Sequence, residues 1–313
     1  MRKLKARLLA ATALVAGGDS LLALPAQADE GRLRPHQGPV VEIGLQGSFL
    51  FNAGDERSAV DPFDDKLGDL SDLDSGDYGQ SFGVTARWNL DERWAVQVGM
   101  NGTWLSQGES YASDFEEIII DPQLPPLISG TDQRGTFESS YAILEGAAVY
   151  RLGDPGWGMQ RIDLLVGLRG LQSEAEADYS YEGTANGDVE ITSRGWYLGP
   201  MVGVGATLPL GGALSLVGQA SGSVLFGSRE DQSVEDGDTE IDVYDSNTVY
   251  TLEGSLALQY AIAPGVALQG GYRAQQLWNA GVRYENVEKT GDFESGEADL
   301  LVHGAFVSIN LQF

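Results

Sequence analysis

The chain has 313 residues, with 19 Lys and Arg against 46 Asp and Glu, and a formal net charge of -27. A surface of that sign repels the phosphates of nucleic acid, which is excluded as a partner. With no cysteine and only two histidines, His36 and His303, there is no disulfide framework, no thiolate site and little material for a histidine-based metal or catalytic centre.

Residues 1–28 open with Arg2, Lys3, Lys5 and Arg7, continue through the apolar run from Leu8 to Val15, and end in Ala26-Gln27-Ala28. This is the pattern of a secretory signal peptide cleaved after Ala28, and the apolar run is too short to cross a bilayer as a helix. Residues 29–39 then form a short periplasmic N-terminal segment, and residues 40–313 are expected to form one domain.

Along that domain, about ten segments alternate apolar and polar residues with period two. The first is Val41 to Asn52. The second and third form a hairpin from Ser81 to Leu105, turning at Asn89 to Arg93. Tyr141 to Arg151 and Ile162 to Leu171 are joined by the turn sequence GDPGWG, Trp196 to Leu210 and Ala213 to Phe226 by Gly211-Gly212, and Tyr250 to Tyr260 and Val266 to Trp278 by Ala263-Pro264-Gly265. The tenth is Val302 to Phe313. Between the hairpins lie long polar connections at 53–80, 106–139, 227–249 and 280–298, and a shorter one near 183–190.

Short turns on one side and long loops on the other point to a transmembrane antiparallel β-barrel, with periplasmic turns and extracellular loops. Ten strands fit best, though eight or twelve would satisfy the same pattern. Ten residues separate Trp94 from Trp104, which at roughly 3.3 Å per residue and a tilt near 40° spans about 25 Å, the height of a lipid-facing band. Trp88, Trp94, Trp104, Tyr250, Tyr260, Trp278 and Phe313 are placed to form the interfacial girdles. A soluble sandwich would point its apolar face inward and has no reason for one-sided loop lengths.

The opposite parity then lines the interior, and its charged members are Glu42, Arg87, Glu145, Asp163, Arg169, Glu253 and Arg273. One reading makes them the wall of a narrow water-filled pore whose opposed charges select small solutes. The other makes them an ion-pair network that plugs the bore. Gly83, Gly99, Gly199, Gly203, Gly205 and Gly271 on the same parity are expected to remove bulk from the bore.

The loop from Asp55 to Asp77 carries nine acids, and that from Arg229 to Asp245 carries eight. Clustered carboxylates suit calcium, but Asp72-x-Asp74-x-Gly76 has no glutamate at the twelfth position, so a solvated acidic surface is the expectation. Glu116 to Gly130 is the apolar loop, with Ile118, Ile119 and Ile120, suited to a constriction, a subunit contact or a local cluster. No Gly-x-Ser-x-Gly elbow, phosphate loop or zinc motif is present, so no catalytic residue, metal or cofactor is assigned and the protein is not expected to be an enzyme.

Arg194 to Gly227, the stretch GYRAQQLW and the ending DLLVHGAFVSINLQF resemble the pore-forming outer-membrane family related to the Legionella major outer-membrane protein. That resemblance implies an outer-membrane pore. Absence of cysteine excludes disulfide-linked oligomers, while a non-covalent homo-oligomer is compatible with the sequence. Phe313, with Leu311 and Ile309 on its face, resembles the C-terminal signal that barrel-assembly machinery reads. The expected function is passive diffusion of small hydrophilic solutes or ions across the outer membrane, with outer-membrane lipid around the barrel; the alternative is a closed structural or adhesion-type barrel acting through its extracellular loops.

Overall fold

A computed structural model of the chain describes residues 40–52, 78–106, 110–113, 130–152, 161–183, 187–235, 238–286 and 293–313. Residues 1–28, expected as a signal peptide, the expected N-terminal segment 29–39 with His36, the acidic stretch from Asp55 to Asp77 and most of the apolar loop from Glu116 to Gly130 lie outside these residues. The described strands are β1 (Val40–Asn52), β2 (Tyr78–Asn89), β3 (Trp94–Ser106), β4 (Ser110–Ser113), β5 (Gly130–Leu152), β6 (Arg161–Gly183), β7 (Gly187–Gly211), β8 (Leu214–Glu235), β9 (Asp238–Ala263), β10 (Val266–Asn286) and β11 (Phe293–Gln312).

Each strand pairs antiparallel with its sequence neighbours, with β4 standing apart as a short addition to the upper part of β5. The ring closes twice over. β1 pairs with β11 from Glu42↔Gln312 to Asn52↔Val302, and β3 passes β4 to pair with β5 from Trp94↔Tyr150 to Ser106↔Glu138. The result is a closed ten-strand antiparallel barrel with no free sheet edge among the described strands of the ring. Phe313 extends the closure, its N–H donating to Val41 O at 2.9 Å.

Exposure follows parity in the sense expected for a membrane barrel. Phe49, Phe51, Phe82, Val96, Val98, Met100, Leu256 and Leu258 face outward and are exposed, while Ser81, Arg87, Thr103, Ser221 and Thr251 face inward and are buried. A soluble barrel would show the reverse. One end carries the short turns, and we call it periplasmic by the rule that such barrels keep short turns there. At Pro264-Gly265 proline occupies the first central position and Gly265 the second at φ 75°, the type II arrangement. The first hairpin turn is held by Asp91, whose carboxylate accepts the N–H groups of Arg93 and Trp94, each at 2.7 Å.

At the other end the strands run well past the alternating segments. β5 begins at Gly130 instead of Tyr141, β6 reaches Gly183, and β8 and β9 continue to Glu235 and from Asp238. Much of the sequence expected as extracellular loop is therefore paired strand, with Arg229↔Asp245 and Asp231↔Val243 in register.

Candidate functional site

The interior is built in levels, from the periplasmic end upward. Lowest is a cluster around Asp163 on β6. Its Oδ2 accepts from Arg87 Nη1 on β2 at 2.8 Å and from Arg161 Nε at 2.6 Å, and its Oδ1 lies 3.8 Å from Arg151 Nε. Glu42 turns instead to Asn89, whose Nδ2 donates to Glu42 Oε1 at 2.9 Å, while Asn89 Oδ1 accepts from Arg151 Nη2 at 3.2 Å. The Arg87 to Asp163 bond joins strands three places apart in the ring, so it crosses the bore.

The next level is held by Arg169 and Arg273. Arg169, only 1% exposed, donates to Glu145 at 2.9 Å, Ser221 at 2.8 Å and Thr251 at 2.9 Å, with Glu253 3.6 Å away. Arg273 lies 3.7 Å from Glu253 and donates to Ser81 at 3.3 Å and Gln275 at 3.2 Å. Around both levels is a cavity of about 760 Å³ that reaches from Gly265 and Gln312 at the rim up to Ile143 and Gln275. Glu42, Arg87, Glu145, Asp163, Glu253 and Arg273 line it, and Arg169 is packed behind.

Above the charges the interior turns apolar. Leu105, Tyr141, Ile143, Leu171, Tyr197, Leu225, Val249, Leu277, Ala280, Leu300 and Val302 form one connected cluster, none more than 8% exposed. Its members come from β3 and from every strand between β5 and β11, and Leu50 of β1 is equally buried at the same height. Tyr141 on β5 donates to Gln275 on β10 at 3.0 Å, joining strands on opposite sides of the ring. Higher still, the buried pair of Arg229 and Asp231 (2.9 Å) restores polarity. The bore therefore carries two charged levels, the lower one packed beside a smaller apolar cluster of Ala95, Ala147, Val149 and Leu165, then the large apolar level, then a further charged pair.

The seven interior residues expected from parity thus meet in two connected groups. Parity also holds the two that sequence reasoning passed over. Arg151 shares the inward parity of Glu145, and Arg161 precedes the expected strand by a single residue. The apolar level is hidden from such a reading for another reason: alternation alone sends apolar residues to lipid, yet Leu225 and Leu277 sit on the same parity as Arg229 and Arg273 and face the bore.

On the outer surface Trp88, Trp94, Tyr260 and Phe313 are exposed towards the periplasmic end and Trp104 and Tyr250 towards the other, with Trp278 half-buried opposite Tyr250. Trp94 packs on Tyr150 at a ring-centroid distance of 4.9 Å. Tyr78, Trp196 and Phe226 are further exposed aromatics. His303 is on the outward parity, hydrogen-bonded to the Tyr272 hydroxyl, with the Phe51 ring 6.0 Å away. Among the described residues no group of His, Asp or Glu is arranged to hold a metal ion.

Two of the inward glycines, Gly199 and Gly271, do more than spare volume in the bore. A Cβ on Gly199 would stand 1.9 Å from Val224 O, and one on Gly271 2.3 Å from Leu256 O, both on neighbouring strands. These glycines permit close backbone approach at the barrel wall before they spare volume in the bore.

Closed antiparallel pairing, a lipid-facing exterior and a charged interior define the class: a transmembrane β-barrel of the bacterial outer membrane. Residues 158–313 match the family model described as Legionella pneumophila major outer membrane protein precursor, which relates the chain to that family through the stretch carrying the resemblance. No curated protein matches the chain. Among solved structures, the outer membrane protease OmpT from Escherichia coli is similar at 12% identity, with a TM-score of 0.50, over 91% of this chain and 99% of that one. A major outer membrane protein from Thermus thermophilus is similar at 13% identity and TM-score 0.36, covering 87% and 99%, and the translocator domain of autotransporter NalP from Neisseria meningitidis at 9% and 0.38, covering 87% of each chain. At these identities what is shared with OmpT is the fold alone.

Proposed function

We propose that the protein is a porin-like outer-membrane pore for small hydrophilic solutes or ions, closed at mid-bore in the conformation described. The observation that carries this is the polar cavity of about 760 Å³ lined by charges of both signs. A barrel that used its interior only as structural filling has little reason to keep that much polar space. Arg169 Nε, Arg273 Nε and Gln275 Nε2 are buried with no hydrogen-bond partner among the described residues, and such groups are satisfied by water. Small inward positions such as Gly83, Gly99 and Gly205 keep the lower bore open to it.

The second reading, a closed barrel acting through its extracellular end, is favoured by one observation, the connected apolar level. An enzyme has the least support: the one described histidine is on the lipid-facing surface, and the likeness to a protease is one of fold. Conductance of the refolded full-length protein in planar bilayers separates the two readings. Channel events are expected, and reversing Arg273 to Glu is expected to shift ion selectivity towards cations. A folded barrel silent at every voltage would overturn the pore.

A further inference from the structure

We infer that the periplasmic end of the bore is a binding site for a small tetrahedral oxyanion, held by Arg87, Arg151 and Arg161. The assignment deepens the pore reading and rests on it for its role, because this mouth is where a solute enters or leaves the bore.

Three guanidinium groups from three different strands converge here on a single carboxylate, Asp163, at 2.6 to 3.8 Å. The other acid of the mouth, Glu42, has an oxygen engaged by the Asn89 amide, and no ion pair joins it to an arginine among the described residues. Positive charge is therefore in excess at this point of a chain whose net charge is -27. That imbalance is local, since higher up Arg169 and Arg273 face Glu145 and Glu253 one for one.

A second observation points to a ligand. Arg87 is 9% exposed, yet its Nη2 has no hydrogen-bond partner among the described residues, and Arg151 Nε stands 3.8 Å from Asp163 Oδ1, too far for a hydrogen bond, with both atoms left unsatisfied. Both belong to residues that line the cavity. Guanidinium forks match the paired oxygens of phosphate or sulfate, giving strong charge-assisted bonds where water is partly excluded. Arg151 and Arg161 are partly exposed, so the site is reachable from the rim. Asp163 then acts as the internal counter-ion that an entering oxyanion displaces or shares, which keeps the arginines in place between binding events.

The test is calorimetric titration of the refolded full-length barrel in detergent with inorganic phosphate at constant ionic strength, with chloride as the reference anion. Saturable binding of phosphate is expected, weakened about tenfold in Arg151→Gln and in Arg161→Gln, the loss of one hydrogen bond to a charged group. Asp163→Asn is expected to bind phosphate more tightly; should that variant fail to fold, the two arginine variants decide alone. Phosphate binding no stronger than chloride, or unchanged in both arginine variants, would overturn the site. Bilayer recordings keep it distinct from the pore: phosphate binding without channel events retains the site and removes the pore, and channel events without phosphate binding do the reverse.

Discussion

At the scale of single residues, the interior is governed by the cost of burying charge. Arg169 is held by Glu145, Ser221 and Thr251, so its removal leaves Glu145 uncompensated inside the barrel. Arg169→Met is expected to lower stability by about 3–5 kcal/mol, read from the urea midpoint of the barrel in vesicles, and adding Glu145→Gln should recover part of the loss. At the first periplasmic turn the sign of a pH effect follows from Asp91. The N–H of Arg93, and then that of Trp94, bond to its charged form and hold the carboxyl below its ordinary 3.8. Its contribution is present above that value and lost as pH falls through the lowered folded pKa. The urea midpoints of wild type and Asp91→Ala should therefore differ at neutral pH and converge in acid. How much of this was legible in the sequence depends on what parity encodes. Alternation fixes which side chains enter the bore, and so found Arg87, Arg169 and Arg273. It carries no information on which acid each arginine meets, and the sharing of Asp163 by three arginines depends on contacts between strands far apart in sequence.

At the scale of strands, the lipid-spanning segments were readable because lipid imposes an apolar outer face. The upper halves of β5 to β9 were not, because their sequence is mostly polar without the alternation, and what makes them strand is backbone pairing, which many polar sequences satisfy. Glycine marks where neighbouring strands come closest. A Cβ on Gly304 of β11 would stand 2.0 Å from Phe49 O of β1, in the ladder that closes the ring, whereas one on Gly254 or Gly270 would meet nothing within 4 Å. Gly304→Ala is accordingly expected to impair closure, seen as loss of the faster-migrating folded band on unheated gel electrophoresis. Gly254→Ala should retain that band.

At the scale of the whole molecule, the order of the levels in the bore decides what the barrel can pass. Charged walls hold water, but a connected apolar level above them does not, and a narrow apolar constriction blocks ions by excluding water even where its side chains can move. Leu225 and Leu277 are central to this level, both within 1% of full burial. If the level is the closed gate of a pore, shortening and polarising it lets water join the cavity below to the polar region around Arg229 and Asp231. Leu225→Ser with Leu277→Ser should then raise the ionic conductance of the reconstituted barrel several-fold over wild type. The fold must bear a cost for each substitution of about 3 kcal/mol or more, by comparison with Leu→Ala in other packed interiors. The expected signature is thus higher conductance from a barrel with a lower urea midpoint. A double variant that folds and conducts no better than wild type would show that the apolar level is not the barrier, and would place the restriction in the crossed ion pairs beneath it.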